Sequence, residues 1–158
     1  MHPRAVEFAE QVRSEYGFDP DVREFPEGTK TAGDAADAVG CDVAQIASSL
    51  AFTVDGTLVV SVTSGANRVS EAALGSHFDV PAGAVEMADA DRIKETLGWS
   101  IGGVPPFAHA TDVPVVMDET LLDHETVWAA AGTPTAVFPI DPDVLREYAD
   151  AEPVRVTE

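Results

Sequence analysis

The sequence predicts an α/β fold, a mixed sheet with helices packed outside it. Three observations predict this. Helical and strand patterns intermix along the whole chain, with no internal repeat, linker or low-complexity segment. Leu50 to Val54 and Leu58 to Val62 flank Asp55-Gly56, and an Asp-Gly pair supplies the positive backbone dihedrals of a tight hairpin turn. The 158 residues, 45% of them hydrophobic, suit one domain over 1–158 that can hide roughly 70% of its unfolded surface.

In chain order, residues 3 to 16 read as a helix, with Val6, Phe8-Ala9 and Val12 roughly on one side. Residues 18 to 25 hold a short strand, and Pro26-Glu27-Gly28 turns the chain. Thr31 caps a helix from Ala32 to Val39, with Asp34 in its first turn and Gly40 placed to end it. Val43, Ile46 and Ala47 keep helical spacing and predict a shorter helix over 43–48. After the hairpin, Ser64-Gly65-Ala66-Asn67 is a loop, and 69–78 and 88–97 read as helices. Val113 to Met117 and Ala136 to Ile140 read as strands, while 126–131 fits either class. Asp141-Pro142 opens a final helix, with Asp as cap and Pro in its first position. Val154 to Val156 adds an edge strand.

The charge is the outlier. Asp plus Glu number 28 against 9 Lys plus Arg, a net charge of -19. Lys30 and Lys94 are the only lysines. The acidic residues are dispersed, which makes the whole surface acidic and is unlike an acidic tail. At about 1 M salt the Debye length is only ~3 Å, so such a surface stops repelling itself. Dispersed acidity therefore reads as adaptation to concentrated salt. An acidic protein of ordinary salt that avoids polyanions is the alternative. The single cysteine, Cys41, allows no intrachain disulfide and no cysteine metal cluster, and it reads as buried and inert. The first residues lack the apolar stretch of a signal peptide, and no run of ~18 apolar residues occurs. A cytoplasmic location is expected, with no membrane, no DNA, no metal and no cofactor.

Residues 98 to 109 read Gly-Trp-Ser-Ile-Gly-Gly-Val-Pro-Pro-Phe-Ala-His. Gly102 and Gly103 permit positive φ and close approach to the backbone. Pro105 and Pro106 stiffen the second half of the loop, and Pro105 biases Val104 towards an extended conformation. A flexible pair beside a rigid pair can hold backbone N–H groups in a fixed direction, able to bind a carbonyl or a developing oxyanion. Val104, Phe107 and Trp99 are candidate apolar walls, and His109 is the one histidine near the loop. The same pattern also suits an ordinary surface turn, and local chemistry leaves both readings open.

This loop does not stand alone. Thr31-Ala32 precedes an alanine-rich helix, Gln45-Ile46 leads into Leu50-Ala51-Phe52, and Val116-Met117-Asp118-Glu119 lies beyond the loop. In order and spacing, over roughly residues 20 to 150, these segments resemble the YbaK family of aminoacyl-tRNA editing domains. That family includes the editing insertion of bacterial prolyl-tRNA synthetases and its free-standing relatives. The resemblance implies a largely antiparallel, barrel-like mixed sheet of about six or seven strands, with helices outside. The family's Gly-x-x-x-Pro loop falls on Gly102 to Pro106.

The resemblance also implies an activity. It is hydrolysis of the ester between a wrong amino acid and the terminal ribose of a tRNA, with alanyl- and cysteinyl-tRNA(Pro) the first candidates. It implies the aminoacyl-tRNA acceptor end as partner, and a prolyl-tRNA synthetase as a second one. An ester is already activated, so a site that positions it and stabilises its carbonyl oxygen with N–H groups can suffice. On this reading Gly102, Gly103 and Ser48 are catalytic. Thr31, Gly65, Arg68, Val104, Pro105, Pro106, Phe107, His109, Asp118 and Gly132 are the candidate substrate-binding residues. The sequence departs from the family at Ser48, where a pattern like Ile-x-Lys-Thr-Leu carries a lysine, and at Ala108, where glycine is common. Serine keeps a hydrogen bond but no charge. Either another group such as Arg68 supplies the cation, or the activity is lost or changed. The second reading is a binding module for an aminoacyl or nucleotide-like ligand or a synthetase partner. A third is an unrelated small-molecule enzyme on the same fold.

Overall fold

The computed structural model describes residues 2–25 and 31–157. The turn expected at Pro26-Glu27-Gly28 lies outside them. Pro3–Tyr16 forms α1, which ends at Gly17 with φ 67° and buries Ala5, Phe8, Ala9 and Val12. A two-residue strand, β1 (Arg23–Glu24), comes next. α2 (Ala32–Val39) starts at Thr31, whose hydroxyl accepts from the Asp34 N–H, and stops at Gly40 with φ 78°. Both caps are those the sequence predicts.

The next stretch corrects an expectation. Val43–Gln45 makes one 3₁₀ turn, and Ile46 to Ser48, predicted as helix, begin the long strand β2 (Ile46–Val54). The reason is tertiary: Ile46 and Ala47 pair with neighbouring strands on both edges, which outweighs a weak helical period. β3 (Thr57–Ser64) returns from Asp55-Gly56, both residues at positive φ. α3 (Glu71–His77) lies inside the predicted 69–78. A short strand that the sequence pattern did not suggest, β4 (Val85–Met87), precedes α4 (Ala90–Leu97). β5 (Val115–Asp118), β6 (Val127–Ala130) and β7 (Ala136–Ile140) come after it. β6 settles the stretch that fitted either class. α5 (Pro142–Ala149) and the edge strand β8 (Glu152–Val154) complete the described chain.

One mixed sheet holds eight strands, in the order β1-β7-β6-β2-β3-β5-β8, with β4 paired to β2 off that path. The two strands of two and three residues, β1 and β4, take the number past the six or seven expected. No ladder joins β1 to β8 among the described residues, so the sheet is open at that seam. The core sits on both of its faces. On one face α1 meets Val60, Val62, Met117, Phe107 and Phe138. On the other, Leu74 of α3 packs with Phe52, Val59, Val85 and Val116. β3 is buried from Leu58 to Ser64, as a central strand covered on both sides should be. No helix among the described residues is long and apolar enough to cross a membrane.

The two edges of β2 are unequal. The Gly65 N–H donates to the Ile46 carbonyl at 2.8 Å, and the ladder to β3 then runs unbroken from Ala47↔Ser64 to Val54↔Thr57. In that ladder the even-numbered residues bond to β3, and the N–H and C=O of the odd-numbered ones point to the opposite edge. There, parallel β6 pairs only through Ile46↔Trp128 and Ala47↔Ala129, and antiparallel β4 begins only at Phe52↔Met87. The Ala88 N–H closes the β4 ladder on the Ala51 carbonyl at 3.0 Å. Between these ladders β6 and β4 diverge and leave a stretch of β2 unpaired.

A buried carboxylate fixes the far end of the hairpin. Asp118, 1% exposed, ends β5. Its Oδ2 accepts from the Ser64 N–H at 3.1 Å and Asn67 Nδ2 at 2.9 Å. Its Oδ1 accepts from the Thr120 N–H at 3.0 Å and the Thr120 hydroxyl at 2.8 Å. Four donors replace water around a charge that would otherwise be costly to bury. Asp118→Ala leaves those donors facing an apolar space, and we expect urea unfolding to show a loss of about 3 kcal/mol. A loss below about 0.5 kcal/mol would mean that the network contributes little.

Candidate functional site

A pocket of about 230 Å³ fills the gap between β6 and β4. Its floor is Ser48 to Ala51 of β2, where the outer edge of the strand lies between the two ladders. Alanines line much of it: Ala32 and Ala35 of α2, Ala47 and Ala51 of β2, Ala129 and Ala130 of β6, and Ala136 of β7. Larger apolar walls come from Ile46, Leu50, Ile93, Val104, Trp128 and Val137. Among the described residues, the polar side chains in the lining are Thr31, Ser48 and Ser49, and none of the lining residues is charged. Met87 and Ile101 stand at the rim, 60% and 54% exposed. The described lining suits a small, largely apolar group, with neutral hydrogen-bonding atoms beside it. Among the described residues, no three His, Cys, Asp or Glu side chains are grouped so as to hold a metal ion.

The glycine-proline loop forms one wall, and the core holds it in place. Phe107 is 2% exposed and meets the rings of Phe8, Tyr16, Phe138 and Tyr148 at centroid distances of 5.2–6.2 Å. Trp99 Nε1 donates to the Ala108 carbonyl at 2.9 Å, and Gln11 reaches the same oxygen at 3.2 Å. The Ala110 N–H donates to the Leu97 carbonyl at 2.9 Å, drawing together the chain that enters and leaves the loop. Arg4 stacks over the Trp99 ring at 4.2 Å and bonds the Gly98 carbonyl. Ala108 has φ 65°, the left-handed region that favours glycine, which gives a backbone reason for the glycine common there in the family.

Within this frame the two glycines do different things. Gly103 lies against the β6–β7 connection: a Cβ there would meet backbone atoms of Thr133 at 2.7–2.9 Å. Its N–H donates to the Ser100 carbonyl at 3.0 Å and is thus engaged inside the loop. Gly102 is exposed, has φ 86° and lines the pocket with Val104. Within the loop, the N–H groups of Gly102 and Val104 are left without an acceptor among the described residues.

The structure brings Thr31, Ser48, Gly102 and Val104 to one pocket. It places the other sequence-predicted residues elsewhere. Pro105 and Pro106 are buried behind Val104, and Phe107 belongs to the aromatic core. Gly65 sits where a Cβ would meet Ala32 at 2.6 Å and the Val43 carbonyl at 2.7 Å, so its absent side chain lets α2 approach β3. Arg68 is exposed and borders no part of the pocket. Asp118 orders the loop after β3 from inside the protein. Gly132, with φ 89°, packs against Trp99, the Arg4 carbonyl and Phe8, where any Cβ would come within 3.2 Å. His109 turns inward and its Nε2 donates to the Pro105 carbonyl at 2.8 Å. Cys41 is half-buried beside Ala35, Ala36 and Ile46, where the sequence suggests full burial. Burial, and then Asp42, raise its thiol pKa.

Several pocket residues escaped the sequence reading. Ile46 was hidden by the helical reading of 43–48, and Ser49 fell between that helix and the strand read from Leu50. Trp128, Ala129 and Ala130 lie in the stretch that fitted either class, although the alternating burial of Val127 to Ala130 is a strand pattern. Met87 belongs to β4, whose three residues are too few for periodicity to register.

A small pocket set in a split sheet edge and bordered by a glycine loop defines a domain with a candidate site for a small ligand. Comparison with known proteins makes that class specific. The family described as "Aminoacyl-tRNA editing domain" matches residues 26–148, and the chain belongs to it. The uncharacterized protein YwhH of Bacillus subtilis (strain 168) is 29% identical over 137 residues, 86% of this chain and 85% of that one. Proline--tRNA ligase of Lysinibacillus sphaericus (strain C3-41) is 36% identical over 78 residues, 49% of this chain and 13% of the ligase. A crystal structure provisionally described as a trans-editing enzyme for prolyl tRNA synthetase is 34% identical, with a TM-score of 0.92 over 100% of this chain and 99% of that one.

His109 supplies a pH test of the loop. Burial lowers its pKa from the usual 6.5, while the Pro105 carbonyl and then Asp112 act to raise it. The unfolded chain therefore takes up this proton at a higher pH than the folded one. The contribution to stability is full above about 6.5 and declines as pH falls below it. Urea midpoints measured between pH 7.5 and 5.5 should fall more in the wild type than in His109→Gln. Equal falls would mean that His109 titrates freely.

Proposed function

We propose that this editing domain hydrolyses the ester linking a small, wrongly attached amino acid to the terminal ribose of a tRNA. The carrying observation is the pocket: about 230 Å³, alanine-lined, without a charged side chain among its described lining residues, and bordered by Gly102 and Val104, whose N–H groups have no acceptor among the described residues. The amino acid side chain enters the alanine-lined space. Water adds to the ester carbonyl, the C–O bond to the ribose breaks, and the ribose oxygen leaves with a proton. The N–H groups stabilise the oxyanion formed on the way. No titratable side chain is among the described lining residues, and on this reading the proton moves through water and the neighbouring ribose hydroxyl.

Alanyl- and cysteinyl-tRNA(Pro) fit this reading first, and the prolyl-tRNA synthetase that makes such errors is the proposed partner system. The family resemblance and the match to a proline--tRNA ligase support that choice. Ser48 lines the pocket in place of the family lysine, so that position contributes no charge to hold phosphate. RNA binding normally weakens with salt because phosphate contacts release counterions. Here the -19 charge makes repulsion the larger effect, and molar salt removes it. Association with tRNA should therefore be measurable in concentrated potassium chloride and lost in dilute buffer.

Deacylation of a panel of mischarged tRNAs in concentrated potassium chloride tests the reading. The expected result is turnover of alanyl- or cysteinyl-tRNA(Pro), with prolyl-tRNA hydrolysed about 100-fold less efficiently. Gly102→Val should lower the rate by about 100-fold. Unchanged turnover in that variant would remove the loop from the mechanism, and an inactive wild type would leave a binding module.

A further inference from the structure

We infer that the aminoacyl group docks as a single residue of β-strand on the open edge of β2, opposite Ser49. This rests on the editing function proposed above and says how that site holds its substrate. Ser49 has a ladder partner only in β3, Val62, and by the alternation of the ladder its N–H and C=O face the other way. On that side pairing stops at Ala47↔Ala129 and resumes at Phe52↔Met87. No described residue bonds to either group. Backbone donors and acceptors inside a fold almost always find partners, and here the pocket lies against these two. The Ser49 hydroxyl oxygen at the same place is also buried without a partner among the described residues.

The ligand chemistry matches this pair. An α-aminoacyl ester carries one N–H donor and one carbonyl acceptor on either side of a single Cα, the pattern of one residue of backbone. Opposed residues of an antiparallel hydrogen-bonded pair exchange two N–H···O bonds, and extended peptides add to open strand edges in this way. The substrate ammonium donates to the Ser49 carbonyl, and the ester carbonyl accepts from the Ser49 N–H. Paired residues direct their side chains to the same face. An L-amino acid held so sends its side chain to the face of Ala47, Ala51 and Val104. The positive ammonium also meets a carbonyl, which needs no acidic side chain in the lining.

Amide hydrogen exchange read by NMR tests this, with 3′-(L-alanylamino)-3′-deoxyadenosine as the non-hydrolysable probe. In the free protein the Ser49 amide should exchange about 100-fold faster than those of Ser48 and Leu50, which are laddered to β3. The probe should slow Ser49 by about tenfold or more, and its propionyl counterpart, lacking the amino group, should bind about tenfold more weakly. If alanyl-tRNA is turned over while Ser49 stays unprotected by the bound probe, this docking is overturned and the editing function stands. If there is neither turnover nor protection at any pocket residue, both are overturned.

Discussion

The backbone of β2 is the constraint on which the site depends. One edge is satisfied along its whole length by β3, and the other only at its two ends, by β6 and β4. Buried backbone polar groups are rarely left without partners, so a gap in the middle of a buried strand is unusual. The fold sustains it because the neighbouring strands belong to different parts of the chain. β6 runs parallel and leaves with β7, and β4 runs antiparallel and leads into α4. The pocket is the space between their departures. Its small size comes from the alanines that β2, β6, β7 and α2 present there.

The second support is the way the glycine-proline loop is tied down. Its mobile-looking composition is anchored by Phe107 among four aromatic rings and by hydrogen bonds from Trp99 and Gln11 to one carbonyl. Gly103 allows contact with the Thr133 backbone, and His109 clips the loop to the Pro105 carbonyl. Gly102 and Val104 are left with N–H groups held in place but unused, which is what preorganised stabilisation of a carbonyl oxygen requires.

Much of this was legible in the sequence, for identifiable reasons. Asp55-Gly56, Thr31, Gly40 and Asp141-Pro142 act through local backbone chemistry, and each does in the structure what its chemistry predicts. Gly102 to Pro106 was also visible, because glycine and proline constrain dihedrals wherever they occur. Pairing across the sheet was less visible. Ile46 to Ser48 have a helical period but are strand because of partners 15 or more positions away. β4 is too short to show a pattern. Gly65 and Gly132 drew attention as ligand-loop residues, yet their close contacts are with the protein itself. Sequence marks where the backbone is unusual, but not which neighbour makes it so.

The acidic surface and the uncharged pocket separate two tasks. On the proposed reading, surface charge governs whether an RNA can approach, while the pocket selects what is held by shape and by neutral hydrogen bonds. The claim that joins them is that the aminoacyl group sits in the gap between β4 and β6. A crystal structure with an alanyl-adenosine amide tests it most directly. The account predicts the alanyl nitrogen and carbonyl oxygen within about 3.2 Å of the Ser49 carbonyl and N–H, with the methyl group towards Val104. An alanyl group found instead along Gly65 to Arg68, or in the open cleft beside Asp55 and Arg92, would contradict it.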